Sequence, residues 1–151
     1  MCGFKIKYQD MEDWSMILTD ELCDRLCAAA HEKSKEIGID ISFAISDENG
    51  LPRVYRRCGE ALVLSITLVP GKAYTAAVTQ CKTKDVAACS VEGGSLMAIQ
   101  TNDPRITLVA GGYPLFVNGK IVGGIGVGGG TEEQDCSIAE YVVSVFNEMT
   151  K

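Results

Sequence analysis

Gly111-Gly-Tyr-Pro-Leu-Phe-Val-Asn-Gly-Lys-Ile-Val-Gly-Gly-Ile-Gly-Val-Gly-Gly-Gly-Thr-Glu-Glu-Gln-Asp135 is the stretch around which the chain is organised. Asn118-Gly119 separates two apolar runs, Leu115–Val117 and Lys120–Val122. Both central residues of a type I′ turn need positive φ, so Asn-Gly in this setting predicts a β-hairpin. The second strand, Ile121–Val127, carries Gly123, Gly124 and Gly126. Glycine weakens a strand, and its presence points to a bulge or to the close approach of another backbone or a ligand. Gly128-Gly-Gly130 then leads to Thr131, an N-cap whose capping box closes at Gln134. The stretch therefore reads strand, tight turn, glycine strand, glycine loop, helix.

Two readings follow for the loop. Backbone N–H groups at a helix N-terminus suit an anion, which makes Gly128, Gly129 and Glu132 candidate binding residues. Alternatively the glycines serve geometry and let helices pack tightly on the sheet. Geometry is favoured, because Glu132, Glu133 and Asp135 would repel a phosphate. The match of Gly124–Gly129 to Gly-x-Gly-x-x-Gly also lacks the βαβ context that such a motif needs.

Outward from this stretch, the chain of 151 residues fits one domain, with 1–17 as an N-terminal arm and 18–151 as the folded unit. A net charge of −6 without a basic run argues against nucleic acid as a partner. No apolar run reaches membrane-spanning length, and the first residues lack the apolar core of a signal peptide, so the expected location is the cytoplasm. Seven scattered cysteines, with no Cys-x-x-Cys, read as reduced thiols.

A helix starts at Thr19 and ends at Gly38. Leu22, Leu26, Ala29, Ala30 and Ile37 share its apolar face. Cys23, Cys27 and His31 form a second stripe at helical spacing. Imidazole and thiolate both bind metals, so His31 and Cys27 are the candidate metal ligands; two semi-buried cysteines beside a boundary histidine is the plainer reading. Ile39–Ser46 alternates as a half-buried strand, and Leu51–Arg57 follows the Asp47–Gly50 turn. Arg53, Arg56 and Arg57 could hold a carboxylate, or simply protect an edge strand. Residues 60–82 read as one helix kinked or broken at Pro70. Short helices over 83–88 and 95–100 precede a strand at Arg105–Ala110. The final helix runs 131–149 with Ile138, Tyr141, Val142, Val145 and Phe146 inward. The order α-β-β-α-α-β-β-β-α predicts an α+β layered domain with antiparallel pairing.

Ile41–Gly50, Gly71-Lys-Ala-Tyr-Thr-Ala76, Gly111–Leu115 and Gly119–Asp135 together resemble the GlcG/HbpS-like haem-binding family. That family includes the C-terminal domain of PduO-type corrinoid adenosyltransferases. Gly128 stands where the family commonly has serine. The resemblance implies a profilin-like three-layer α/β/α fold around a five-stranded antiparallel sheet. It also implies a homo-oligomer, from dimer up to octamer, and haem as the possible cofactor. Its members are linked with haem breakdown, redox sensing and cobalamin (corrinoid) metabolism. On this footing His31 is the only available imidazole, with Cys23, Cys27, Tyr74 and Tyr113 as other ligating types. Lys72 and Arg105 would meet propionates. The resulting expectation is a tetrapyrrole-binding module, for haem or corrinoid, serving storage, delivery or sensing. An oligomeric accessory protein ranks second. A small-organic-acid processing protein using Lys72, Glu132 and Asp135 ranks third, since no nucleophile–base–orienter set is visible.

Overall fold

A computed structural model describes residues 17–151. The N-terminal arm, apart from Ile17, lies outside the described residues. The elements are α1 (Asp20–Ile37), β1 (Ser42–Asp47), β2 (Pro52–Arg57), α2 (Ser65–Thr79), α3 (Thr83–Cys89), α4 (Ile99–Asn102), β3 (Gly112–Val117), β4 (Lys120–Gly128) and α5 (Glu132–Met149).

The long helices begin and end where local chemistry says they should. Thr19 Oγ1 accepts from Leu22 N at 3.2 Å, and Gly38 closes α1 in the left-handed region with its N–H on Ser34 O and Lys35 O. Thr131 and Gln134 form the complete capping box of α5. Asn118 and Gly119 have φ of 50° and 75°, as the type I′ hairpin requires.

The strands form one antiparallel sheet in the order β2-β1-β4-β3. α1 and α5 cover one face, where Phe43, Ile45, Leu115, Ile125 and Val127 meet Leu26, Ile138, Val142 and Phe146 in the main core. α2 covers the other face. Its backbone lies directly on glycine: a Cβ on Gly124 would stand 2.5 Å from Ala73 O, and one on Gly126 would stand 2.3 Å from Val69 O. The glycines of β4 thus serve as the bed of α2, which is the geometric reading of the glycine strand.

Five expectations change. The sheet of the described residues has four strands, not five. Arg105–Ala110 is not a strand, because its backbone is taken up elsewhere: Thr107 N donates to Thr75 Oγ1, and Ile106 O accepts from Gln100 Nε2. Residues 60–64 precede the helix rather than begin it, and α2 runs through Pro70 without breaking. β1 is buried from Ser42 to Ser46 instead of half-buried, since α2 seals the face carrying Ser42, Ala44 and Ser46. On α5, Tyr141 is exposed rather than inward, and the Lys33 ammonium sits 5.4 Å from its ring centre.

The free edge of β3 is blunted. Gly112 gives its N–H to Thr83 Oγ1 at 2.9 Å, away from β4. The two-residue period turns Pro114 the same way, so its missing N–H removes no ladder bond.

Candidate functional site

α2 presses against β4 but leaves the face of β2 open. Between them lies a cavity of about 660 Å³, floored by Ala44, Val54 and Tyr55, walled by Leu64, Leu68 and Tyr74, and capped by the loop carrying Pro104 and Arg105. Its lining is mainly apolar. Arg105 is the only charged residue among those lining it.

The polar end of this cavity is built from residues far apart in sequence. Asp103 takes Arg105 in a fork, Nε to Oδ1 at 3.0 Å and Nη2 to Oδ2 at 3.2 Å. The Tyr74 hydroxyl donates to the same carboxylate, and the guanidinium lies 4.4 Å from the centre of the Tyr74 ring. The bonds from Arg105, then from Tyr74, hold the Asp103 carboxyl down at about 2. Burial, followed by the bond to Asp103, raises the Tyr74 phenol above its usual range. Gly50 sits under the Tyr74 ring at φ 77°; a Cβ there would come within 2.6 Å of the ring. Deeper in, the Tyr55 hydroxyl is 2.9 Å from Ser42 Oγ, which is in turn 2.6 Å from Ser65 Oγ.

The glycine loop is a closed arrangement. Lys72 is fully buried, with Nζ 2.7 Å from Val127 O and 3.1 Å from Asp135 Oδ2. Asp135 Oδ1 accepts from Gly130 N, Thr131 N donates to Gln134 Oε1, and Gln134 N donates to Thr131 Oγ1. The chain itself thereby takes up these helix N-terminal donors. Gly128 is buried against Val69, and Gly129, at φ 131°, brings the loop onto Asp40 O. Glu132 is exposed and pairs with Lys84 at 2.8 Å. Burial raises the Asp135 carboxyl despite the attraction of Lys72.

The remaining candidates are dispersed. Tyr113 is buried on the α5 side, donates to Glu140 Oε1 at 2.8 Å and carries the Lys82 ammonium 4.9 Å from its ring centre. Burial, then Glu140, raises its phenol strongly. Cys23 and Cys27 belong to the main core, and burial pushes the Cys27 thiol up to about 11, which opposes the thiolate form that binds metals. His31 is half-buried at the margin of α1, without a hydrogen-bond partner for its ring among the described residues. The stripe of Cys23, Cys27 and His31 therefore splits between core and margin. No group of three or more His, Cys, Asp or Glu side chains gathers for a metal among the described residues.

Of the residues singled out in the sequence, the structure unites Lys72 with Gly128 and Asp135, and Tyr74 with Arg105. It does not unite either pair with Tyr113 or His31. Sequence reasoning missed Asp103, Tyr55 and Leu68. The available signal was the apolar run Ala61-Leu-Val-Leu64 before α2, which has no polar face of its own. No helix of the described residues is long and apolar enough to cross a membrane.

Comparison with known proteins bears on the whole of this frame. The sequence model of the family described as haem degrading protein HbpS-like matches residues 18–144. An uncharacterized 15.0 kDa protein in the dhaT-dhaS intergenic region of Citrobacter freundii is 35% identical over 126 residues, 83% of this chain and 89% of the relative. Corrinoid adenosyltransferase PduO of the same organism is 31% identical over 137 residues, which are 90% of this chain but only 41% of that protein. Among solved structures, a PduOC–haem complex superimposes with a TM-score of 0.81 at 28% identity, covering 85% of this chain and 94% of that one.

Proposed function

This chain belongs to the HbpS-like family, and from that premise we propose that it is a tetrapyrrole-binding module, with haem as its ligand. The observation that carries this reading is the cavity beside α2. At about 660 Å³, with mostly apolar walls and one cationic group, it has the size and character of a small-molecule or cofactor site. The residues fit a flat, apolar ring bearing anionic groups: Leu64, Leu68, Val54 and Tyr55 supply apolar surface, and Arg105 supplies the cation. The similarity to a PduOC domain solved with haem supports the same ligand class. When bound, haem would supply iron for redox or ligand-sensing chemistry; the chain's own residues bind and orient it. Storage, delivery or sensing by a homo-oligomer in the cytoplasm is the role this suits.

A second reading rests on the same arginine. A small organic acid could place its carboxylate on Arg105 and leave much of the cavity to water.

Haemin titration followed in the Soret region tests the choice. The wild type is expected to give a saturable, shifted band. Leu68→Trp, which fills the cavity, is expected to weaken haemin binding by about tenfold or more. His31→Ala is expected to leave it unchanged, because α1 packs on the opposite face of the sheet from α2. Loss of the band in His31→Ala would move the site to α1. Saturable, colourless binding of a small acid, with no Soret change beyond free haemin, would replace the tetrapyrrole reading with the acid one.

A further inference from the structure

We infer that the cavity beside α2 selects its ligand by a carboxylate at one edge of a flat apolar body, held by Arg105, and not by coordination of a central metal. This rests on the proposed tetrapyrrole site and says how that site recognises its ligand.

Three observations carry it. The first is the charge census of the cavity: Arg105 is the sole charged residue lining it. A single cation among apolar walls fixes the orientation of any amphipathic anion that enters, because its carboxylate has only one charged place to go. The second is that the cation is already positioned. Its guanidinium is forked onto Asp103 and lies over the Tyr74 ring, while the side chain is 70% exposed. Nε and one Nη2 proton are committed to Asp103, so the Nη1 edge is left to meet a ligand. A guanidinium ordered before the ligand arrives loses less rotamer freedom on binding. Asp103 and Tyr74 are positioning residues in this arrangement.

The third observation concerns what the cavity lacks among the described residues. No histidine, cysteine or methionine lines it. Its two phenols are occupied, Tyr55 with Ser42 Oγ and Tyr74 with the Asp103 carboxylate. A phenol ligates iron as phenolate, and losing its proton would cost Tyr74 its bond to Asp103. The chemistry of the wall therefore recognises ring surface and acid group and is indifferent to the metal.

The experiment compares three probes on the full chain by direct absorbance, with porphyrin fluorescence for the two metal-free probes: haemin, metal-free protoporphyrin IX and protoporphyrin IX dimethyl ester. Haemin and protoporphyrin IX are expected to bind within a few-fold of each other, and the ester about tenfold or more weaker, the usual range for losing a charge-assisted hydrogen bond. Arg105→Gln, at an exposed position, should weaken both acids and leave the ester where it was. Asp103→Asn removes the group that both orients and neutralises the guanidinium, and should change the ratio of acid to ester affinity without abolishing ring binding; an unchanged ratio would show that Asp103 does not position Arg105 for the ligand. Tight haemin binding without protoporphyrin binding overturns the inference and leaves the tetrapyrrole reading standing. Equal binding of acid and ester does the same. Failure of all three probes removes the tetrapyrrole reading itself, and the inference with it.

Discussion

Asp103 shows how much one residue can be asked to hold. Its two oxygens receive the Arg105 fork and the Tyr74 hydroxyl, and it stays ionised down to about 2 against an ordinary value of 3.8. A carboxyl depressed in the folded state contributes stability that is present above its unfolded pKa. That contribution is lost as pH falls through the window from about 4 to about 2. The melting temperature of the wild type should therefore fall across that window more steeply than that of Asp103→Asn, and a parallel decline in thermal scans would show that the fork is not coupled to folding. None of this could be read from Asp103 in the sequence, where it is one of several acidic residues in loops. Tyr74 and Arg105 were recognisable as chemical types. Their meeting was not, because 31 residues separate them and α2 has to fold before the 104–107 loop has a surface to rest on. His31 is the reverse case. As the only histidine it stands out in the sequence, and the fold sets it on α1, away from the cavity.

At the scale of elements, the decisive contact is α2 on β4. Alanines 73, 76 and 77 face glycines 124 and 126, so backbone meets backbone with hardly a side chain between. Adding one methyl at Gly126 would drive it against Val69 O at 2.3 Å, a carbonyl that cannot swing aside. Gly126→Ala should cost about 1–3 kcal/mol, lowering the melting temperature by roughly 3–10 °C. A variant that melts like the wild type would mean that α2 can lift off the sheet at little cost. The helix caps and the Asn118-Gly119 hairpin were fully legible, because each depends on residues no more than a few positions apart. The strand expected at Arg105–Ala110 failed for the opposite reason. Its apolar pattern fits a strand, but Thr75 and Gln100 compete successfully for its backbone groups.

For the whole molecule, the exposed apolar residues matter most. Leu62, Val63, Leu64 and Ile66 project from the turn before α2 and from its first residues, and Val63 is 79% exposed. A cluster of this kind marks a contact surface more often than bare solvent-facing chain. It adjoins the mouth of the cavity, which Leu64 also lines. If the proposed homo-oligomer forms through this patch, Val63→Glu, at a site that packs against little within the chain, is expected to reduce the mass in light scattering by at least half while leaving the circular dichroism intact. An unchanged mass would show that this patch is not a contact between copies of the chain.

By itself the sequence determined the caps, the hairpin, the amphipathic face of α1, that of α5 apart from Tyr141, and the family to which the chain belongs. These are local or short-period properties, settled by φ preferences, capping hydrogen bonds and side-chain periodicity. Only the tertiary structure decided that the glycines of β4 are a bed for α2, that β1 is covered on both faces, and that Lys72 is buried against Asp135. It also decided that a mostly apolar cavity with one arginine lies beside β2. Each of these arises where segments distant in the chain meet, and burial and charge at such a meeting depend on the neighbour that arrives.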